Sequence, residues 1–65
     1  MNYPINLWPD GSVVTEDGEV IGTHDLIDGA IWTFTPADGS ESILSDAFMS
    51  SFCEKVHMWW KAKCA

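Results

Sequence analysis

The chain has 65 residues, with ten acidic side chains against three lysines and no arginine, for a formal charge of −7; it is expected to form a single domain, 1–65, with a small core. Clustered Lys and Arg are what neutralise a phosphate backbone or an anionic membrane, and this chain has none to spare for either task. Lys55, Lys61 and Lys63 all lie in the last eleven positions, leaving residues 1–54 with every acid and no base, a surface suited to solubility or to attraction by a basic patch on another macromolecule.

Chains this short usually need a staple, and the supply here is four Trp, three Phe and one Tyr. Cys53 and Cys64 are too few for a disulfide framework. No apolar run follows a basic start, so the reading is a reduced, cytoplasmic protein without signal peptide or membrane span.

The segment "NYPINLW" alternates Tyr3, Ile5 and Leu7 with polar or turn-prone neighbours, the period of a half-buried strand. Pro4 cannot donate to a ladder, which assigns this strand to an edge. Asp10-Gly11, following Pro9, is a turn. "SVVT" and "EVIGT" flank Asp17-Gly18, a strong hairpin signal because type I′ turns need positive φ at both central residues. A two-residue loop would set Glu16 opposite Glu19, an unfavourable like-charge pair, so a longer loop with a bulge stands beside it as an alternative.

Asp28-Gly29 lies in "HDLIDGA", which shows no hairpin pattern and is compatible with a short helical turn. "AIWTFT" is the clearest strand, with Ala30, Trp32 and Phe34 on one face and Ile31, Thr33 and Thr35 on the other. Pro36 and Asp38-Gly39 then form a turn, leading toward a short fourth strand around Ser42 to Leu44.

From Ser45 the period changes, dividing the chain into strands and turns over 1–44 and a helical segment over 45–64. Ser45 is a good N-cap, Asp46 sits where the helix dipole favours an anion, and Lys61 and Lys63 sit where it favours cations, which predicts a helix from Asp46 to Lys63. At about 100° per residue, Phe48, Met49, Phe52, Cys53, Val56, Trp59 and Trp60 share one apolar arc, with Ser50, Ser51, Glu54 and Lys61 opposite. Met58 falls on the polar side and is expected to be exposed.

Motifs for chemistry are lacking. "DGSVVTEDGEVI" has valines where a calcium loop needs oxygen ligands, and a scaffold this small cannot build a carboxylate cleft with one shifted pKa. Cys53 and His57 at i, i+4 supply two metal ligands, which is not a zinc site, and Cys64 lies about 16 Å further along the helix axis. No phosphate-binding glycine loop and no arginine clamp is present. The chain is therefore read as a non-enzyme with no cofactor and no metal.

The fold expected is α+β: a small antiparallel sheet of three to four strands joined by Asp-Gly turns, with one C-terminal amphipathic helix packed on one face. The uncovered face makes a homodimer one way to complete the core. By elimination the function expected is that of a small acidic protein-interaction protein. Its concrete form is a phage-type inhibitor that docks on the basic, nucleic-acid-binding surface of a host defence or nucleic-acid-processing enzyme, without touching nucleic acid or membrane itself. The carboxylates to carry it are Asp10, Glu16, Asp17, Glu19, Asp25, Asp28 and Asp38, with Met58 and Trp60 as apolar anchors. Two alternatives remain: a small-ligand binder with an aromatic cage, and an obligate subunit of a larger assembly.

Overall fold

Turn chemistry organises the first two thirds of the chain, in a computed structural model that describes residues 3–64, the side chain of Cys64 excepted. Five strands result: β1 (Ile5–Leu7), β2 (Ser12–Thr15), β3 (Val20–Ile27), β4 (Ile31–Pro36) and β5 (Leu44–Asp46), followed by helix α1 (Met49–Cys64). They form one antiparallel sheet in sequential order, β1-β2-β3-β4-β5. The architecture is α+β as expected, with five strands where three to four were expected; the short strand expected around Ser42 to Leu44 lies further on, at Leu44–Asp46, where it pairs with β4.

Between β2 and β3 the loop is Glu16–Gly18, three residues long. Gly18 N–H donates to the Thr15 carbonyl and Thr15 N–H to the Glu19 carbonyl, each at 2.9 Å. Gly18 adopts φ +87°, a value that suits glycine because it lacks a Cβ. Thr15 instead of Glu16 therefore faces Glu19, and the like-charge pair is avoided. The Pro9–Gly11 loop repeats this geometry: Gly11 N–H donates to the Trp8 carbonyl at 3.0 Å and Trp8 N–H to the Ser12 carbonyl at 2.9 Å.

Asp28-Gly29 is a hairpin turn, correcting the helical turn expected there. Ala30 N–H donates to the Ile27 carbonyl at 2.9 Å, and both Asp28 (φ 55°) and Gly29 (φ 67°) are left-handed. Those are the signs of a type I′ turn, so the geometry anticipated at Asp17-Gly18 occurs here.

A bulge interrupts the β2–β3 pairing: Val13 pairs with Gly22 but Val14 with Val20, which leaves Ile21 as the extra residue. Such a bulge sharpens strand twist. A Cβ on Gly22 would meet Phe34 Cε1 at 2.7 Å and collide with the Thr35 carbonyl oxygen, so a side chain is excluded where the Phe34 ring crosses the strand.

The sheet curls until β1, β4 and β5 all contact α1, with the helix in the concave face. The core is Ile5, Val13, Ile21, Phe34, Phe52 and Val56. Burying a side chain such as Phe52 or Val56 contributes about 1.5–3 kcal/mol each. Trp32 stacks on Phe52 (centroids 6.1 Å apart), and Trp59 meets Phe34 edge-on at 5.1 Å. The aromatic staple expected from composition is present in these contacts.

The helix begins at Met49, three residues later than expected. Ser45 and Asp46 pair with Thr33 and Trp32 in β5, so the ladder has taken the residues assigned to the cap. Asp46 Oδ1 instead accepts from Phe48 N–H at 3.0 Å. That hydrogen bond holds its carboxyl below the ordinary value, with further help from Lys55. Phe48 and Met49 fall on the predicted apolar arc, but Phe48 is 70% exposed and Met49 is exposed as well, because the core ends one turn short of them. Met58 is 63% exposed, matching the sequence. Among the described residues no helix is long and apolar enough to cross a membrane. The thiol of Cys64 lies outside the described residues.

Candidate functional site

Sequential antiparallel strands send alternate turns to opposite ends of the sheet. The Pro9–Gly11 and Asp28–Ala30 turns share one end; the Glu16–Gly18 turn and the β4–β5 connection share the other. The acids expected to act together are thereby divided. Asp10, Asp25 and Asp28 belong to the first end, and Glu16, Asp17, Glu19 and Asp38 to the second.

At the second end Asp38 is engaged: Lys63 Nζ donates to Asp38 Oδ2 at 3.0 Å, and this lowers the Asp38 carboxyl below the ordinary range. Lys63 Nζ also lies 5.0 Å from the Trp59 ring centroid, so the C-terminus of α1 is tied down at this end. Met58 and Trp60 sit on the same half of α1. Trp60 is half-buried beside Trp59, with ring centroids 6.2 Å apart.

The first end is more elaborately built. His24 N–H donates to the Gly11 carbonyl at 2.8 Å. His24 Nε2 lies 2.9 Å from the Trp8 carbonyl, which can only accept, so Nε2 carries a proton. These two bonds dock the Pro9–Gly11 turn against β3. Asp10 Oδ1 accepts from Ser12 N–H at 2.9 Å, the main reason its carboxyl is held below the ordinary range, with a smaller contribution from His24. Asp25 Oδ1 accepts from Leu26 N–H at 2.8 Å. His24 and Trp32 are tilted ring neighbours at 5.8 Å. Asp10, His24, Asp25, Leu26 and Trp32 surround a shallow depression of about 450 Å³. Among the described residues the ion pairs use Asp46 and Asp38, so Asp10, Asp25 and Asp28 face solvent without a cation.

Sequence reading missed the contributions of Trp8, His24 and Trp32 to this end. Trp32 and His24 are brought together by the register Leu26↔Trp32 and His24↔Phe34, which no local pattern encodes.

A second, larger feature lies between β1 and α1: an open groove of about 870 Å³ whose walls include Tyr3, Leu7, Trp8, Met49, Cys53 and His57. Partial burial pushes the Cys53 thiol up from 9.0, so it stays protonated at neutral pH. Cys53 and His57 both line this groove. Among the described residues no set of three or more His, Cys, Asp or Glu is gathered for a metal.

Comparison with protein-family models, with curated proteins and with solved structures finds no match for this chain.

Proposed function

We propose that this chain is a non-catalytic protein-interaction protein that docks on a basic surface of another macromolecule through the end of the sheet bearing Asp10, Asp25 and Asp28. The observation that supports the reading is the combination of three carboxylates without a cation and aromatic walls at one end of the sheet. A lysine or arginine of the partner would enter the depression with its charge toward Asp10 and its stem on Trp32, while Asp25 and Asp28 add to the negative field of this end. There it would gain a charge-assisted hydrogen bond and a cation–π contact of about 0.5–2 kcal/mol. Inhibition follows when the basic surface is one that otherwise holds nucleic acid, as in a host defence or nucleic-acid-processing enzyme, with the carboxylates standing where phosphates lie.

A hexa-arginine peptide is the first probe. Its affinity should fall steeply with salt, because exposed charges are screened beyond about 10 Å at 0.1 M. Asp10→Asn, Asp25→Asn and Asp28→Asn together should weaken it at least tenfold, while Glu16→Gln, Asp17→Asn and Glu19→Gln together leave most of the affinity. Asparagine keeps the carbonyl oxygen that accepts from Ser12 and Leu26 and tolerates the left-handed φ of position 28. Equal losses in the two triple variants would reduce the effect to net charge and end the reading.

The same depression favours a second reading, a small organic cation held by Trp32 and Asp10. That ligand would quench tryptophan fluorescence when added alone, with little response to salt.

A further inference from the structure

The two edges of the sheet are treated differently. At β5, Lys55 Nζ donates to the Ser45 carbonyl at 3.2 Å and pairs with Asp46 Oδ2 at 3.2 Å. A charged cover of this kind keeps other strands off an edge. Among the described residues β1 has no such cover: the segment Tyr3–Trp8 has no charged side chain.

The hydrogen-bond pattern defines what β1 offers. Trp8 turns its N–H toward β2, donating to Ser12. Bonding residues alternate along an antiparallel strand, so Asn6 also faces β2, opposite Val14, while Ile5 and Leu7 direct their N–H and C=O groups away from the sheet. Among the described residues two donors and two acceptors are open there. They are related by a two-fold axis through Asn6: a second β1, run antiparallel, sets Ile5 of each protomer against Leu7 of its partner as two bonded pairs, four hydrogen bonds in all.

We propose that two copies of this chain pair edge to edge through β1 about this axis, forming a ten-stranded sheet and closing the groove beside α1. The edge itself is uncharged from Tyr3 to Trp8 and self-complementary about Asn6, which suits a second copy. The wall that α1 supplies contains one carboxylate, Glu54, and one imidazole, His57, which a two-fold axis can set against each other. Tyr3, 69% exposed, Trp8, 40% exposed, and Met49 become the apolar contact. The turn carboxylates lie at the ends of the strands, so none of them faces the β1 backbone groups that pair. Antiparallel pairing also places the Asp10, Asp25 and Asp28 end of one protomer beside the acidic Glu16–Glu19 turn of its partner, a like-charge contact that added salt screens. The pairing stands or falls independently of the docking reading.

Light scattering on the eluting protein at about 0.1 M salt should give twice the 7.2 kDa monomer mass. Asn6→Cys in a Cys53→Ser, Cys64→Ser chain should oxidise to a covalent dimer, because non-bonded antiparallel pairs hold Cα atoms about 4.5 Å apart, within disulfide range. Thr23→Cys, exposed on the interior strand β3, should not cross-link. A synthetic chain with N-methyl-leucine at position 7 loses an outward donor and should be a monomer with an unchanged circular dichroism spectrum. A wild-type monomer at every concentration overturns the proposal and leaves this edge to an extended segment of another protein. So does a dimer that cross-links equally at positions 6 and 23, or one that the N-methyl group leaves intact.

Discussion

Replacing Gly22 with alanine tests how the curled sheet is held. The new Cβ would stand 2.7 Å from Phe34 Cε1 and 3.0 Å from Cζ, and would press on the Thr35 carbonyl oxygen. The ring cannot retreat freely, because Phe34 is fully buried and meets Trp59 at 5.1 Å. The carbonyl belongs to β4, whose residue Thr35 pairs with Thr23. Overpacking of this kind costs about 1–3 kcal/mol, and the backbone clash puts Gly22→Ala at the upper end, about 3 kcal/mol. A domain of this length has only about 3–10 kcal/mol in total, and each kcal/mol moves its midpoint by about 4–8 °C. Thermal unfolding followed by circular dichroism should therefore show a fall of roughly 12–24 °C. Gly39→Ala is the control, since its nearest neighbour is Pro36 Cδ at an ordinary 3.7 Å. Adding Phe34→Leu to Gly22→Ala should recover part of the loss, giving a coupling of about 1 kcal/mol in a double-mutant cycle. If Gly22→Ala unfolds within a few degrees of Gly39→Ala, the bulge and ring do not interlock as described and the account of the core is wrong.

The helix phase is checked by two phenylalanines four residues apart. Phe52→Ala should cost about 3–5 kcal/mol in urea unfolding, whereas Phe48→Ser should change stability by no more than about 0.5 kcal/mol; similar losses would mean that the core extends to Phe48. Acid unfolding carries its own sign. Asp10, Asp38 and Asp46 all have folded carboxyls below 3.8, so the stabilisation they give is complete above that value and is lost as pH falls through the lower folded pKa. Asp46→Asn should make the acid limb of a stability–pH curve shallower below pH about 4; an unchanged limb would show that the Phe48 N–H and Lys55 contacts do not act on this carboxylate.

Much of the local structure was legible because its causes lie within a few residues. An Asp-Gly pair prefers a turn through glycine's access to positive φ, and that marked the corners at Asp10-Gly11, Asp17-Gly18 and Asp38-Gly39 without any knowledge of the fold, while the hairpin at Asp28-Gly29 showed no such pattern. Pro4 assigned the first strand to an edge, and alternation assigned Trp32 and Phe34 to the inner face. The arc through Phe52, Val56 and Trp59 identified the helix face that meets the sheet. What kind of turn each corner adopts was less legible, since Asp17-Gly18 and Asp28-Gly29 present the same dipeptide and differ only in how their strands pair.

The candidate site belonged almost wholly to the long-range structure. Composition made the surface acidic, but the alternation of turns between the two ends of the sheet decided which acids are neighbours. Strand register brought His24 and Trp32 together on one face of the sheet, beside the Asp10 turn. Competition decided the helix start: Ser45 and Asp46 are sound cap residues in isolation, yet the ladder with β4 satisfies their backbone first and moves the helix three residues on. The curl of the sheet around α1 left β1 with an open edge and β5 with Lys55 across it. Turn preference and amphipathic period are local and can be read from the chain; edges, ends and grooves arise from pairings between distant residues, which the local pattern permits and tertiary packing selects.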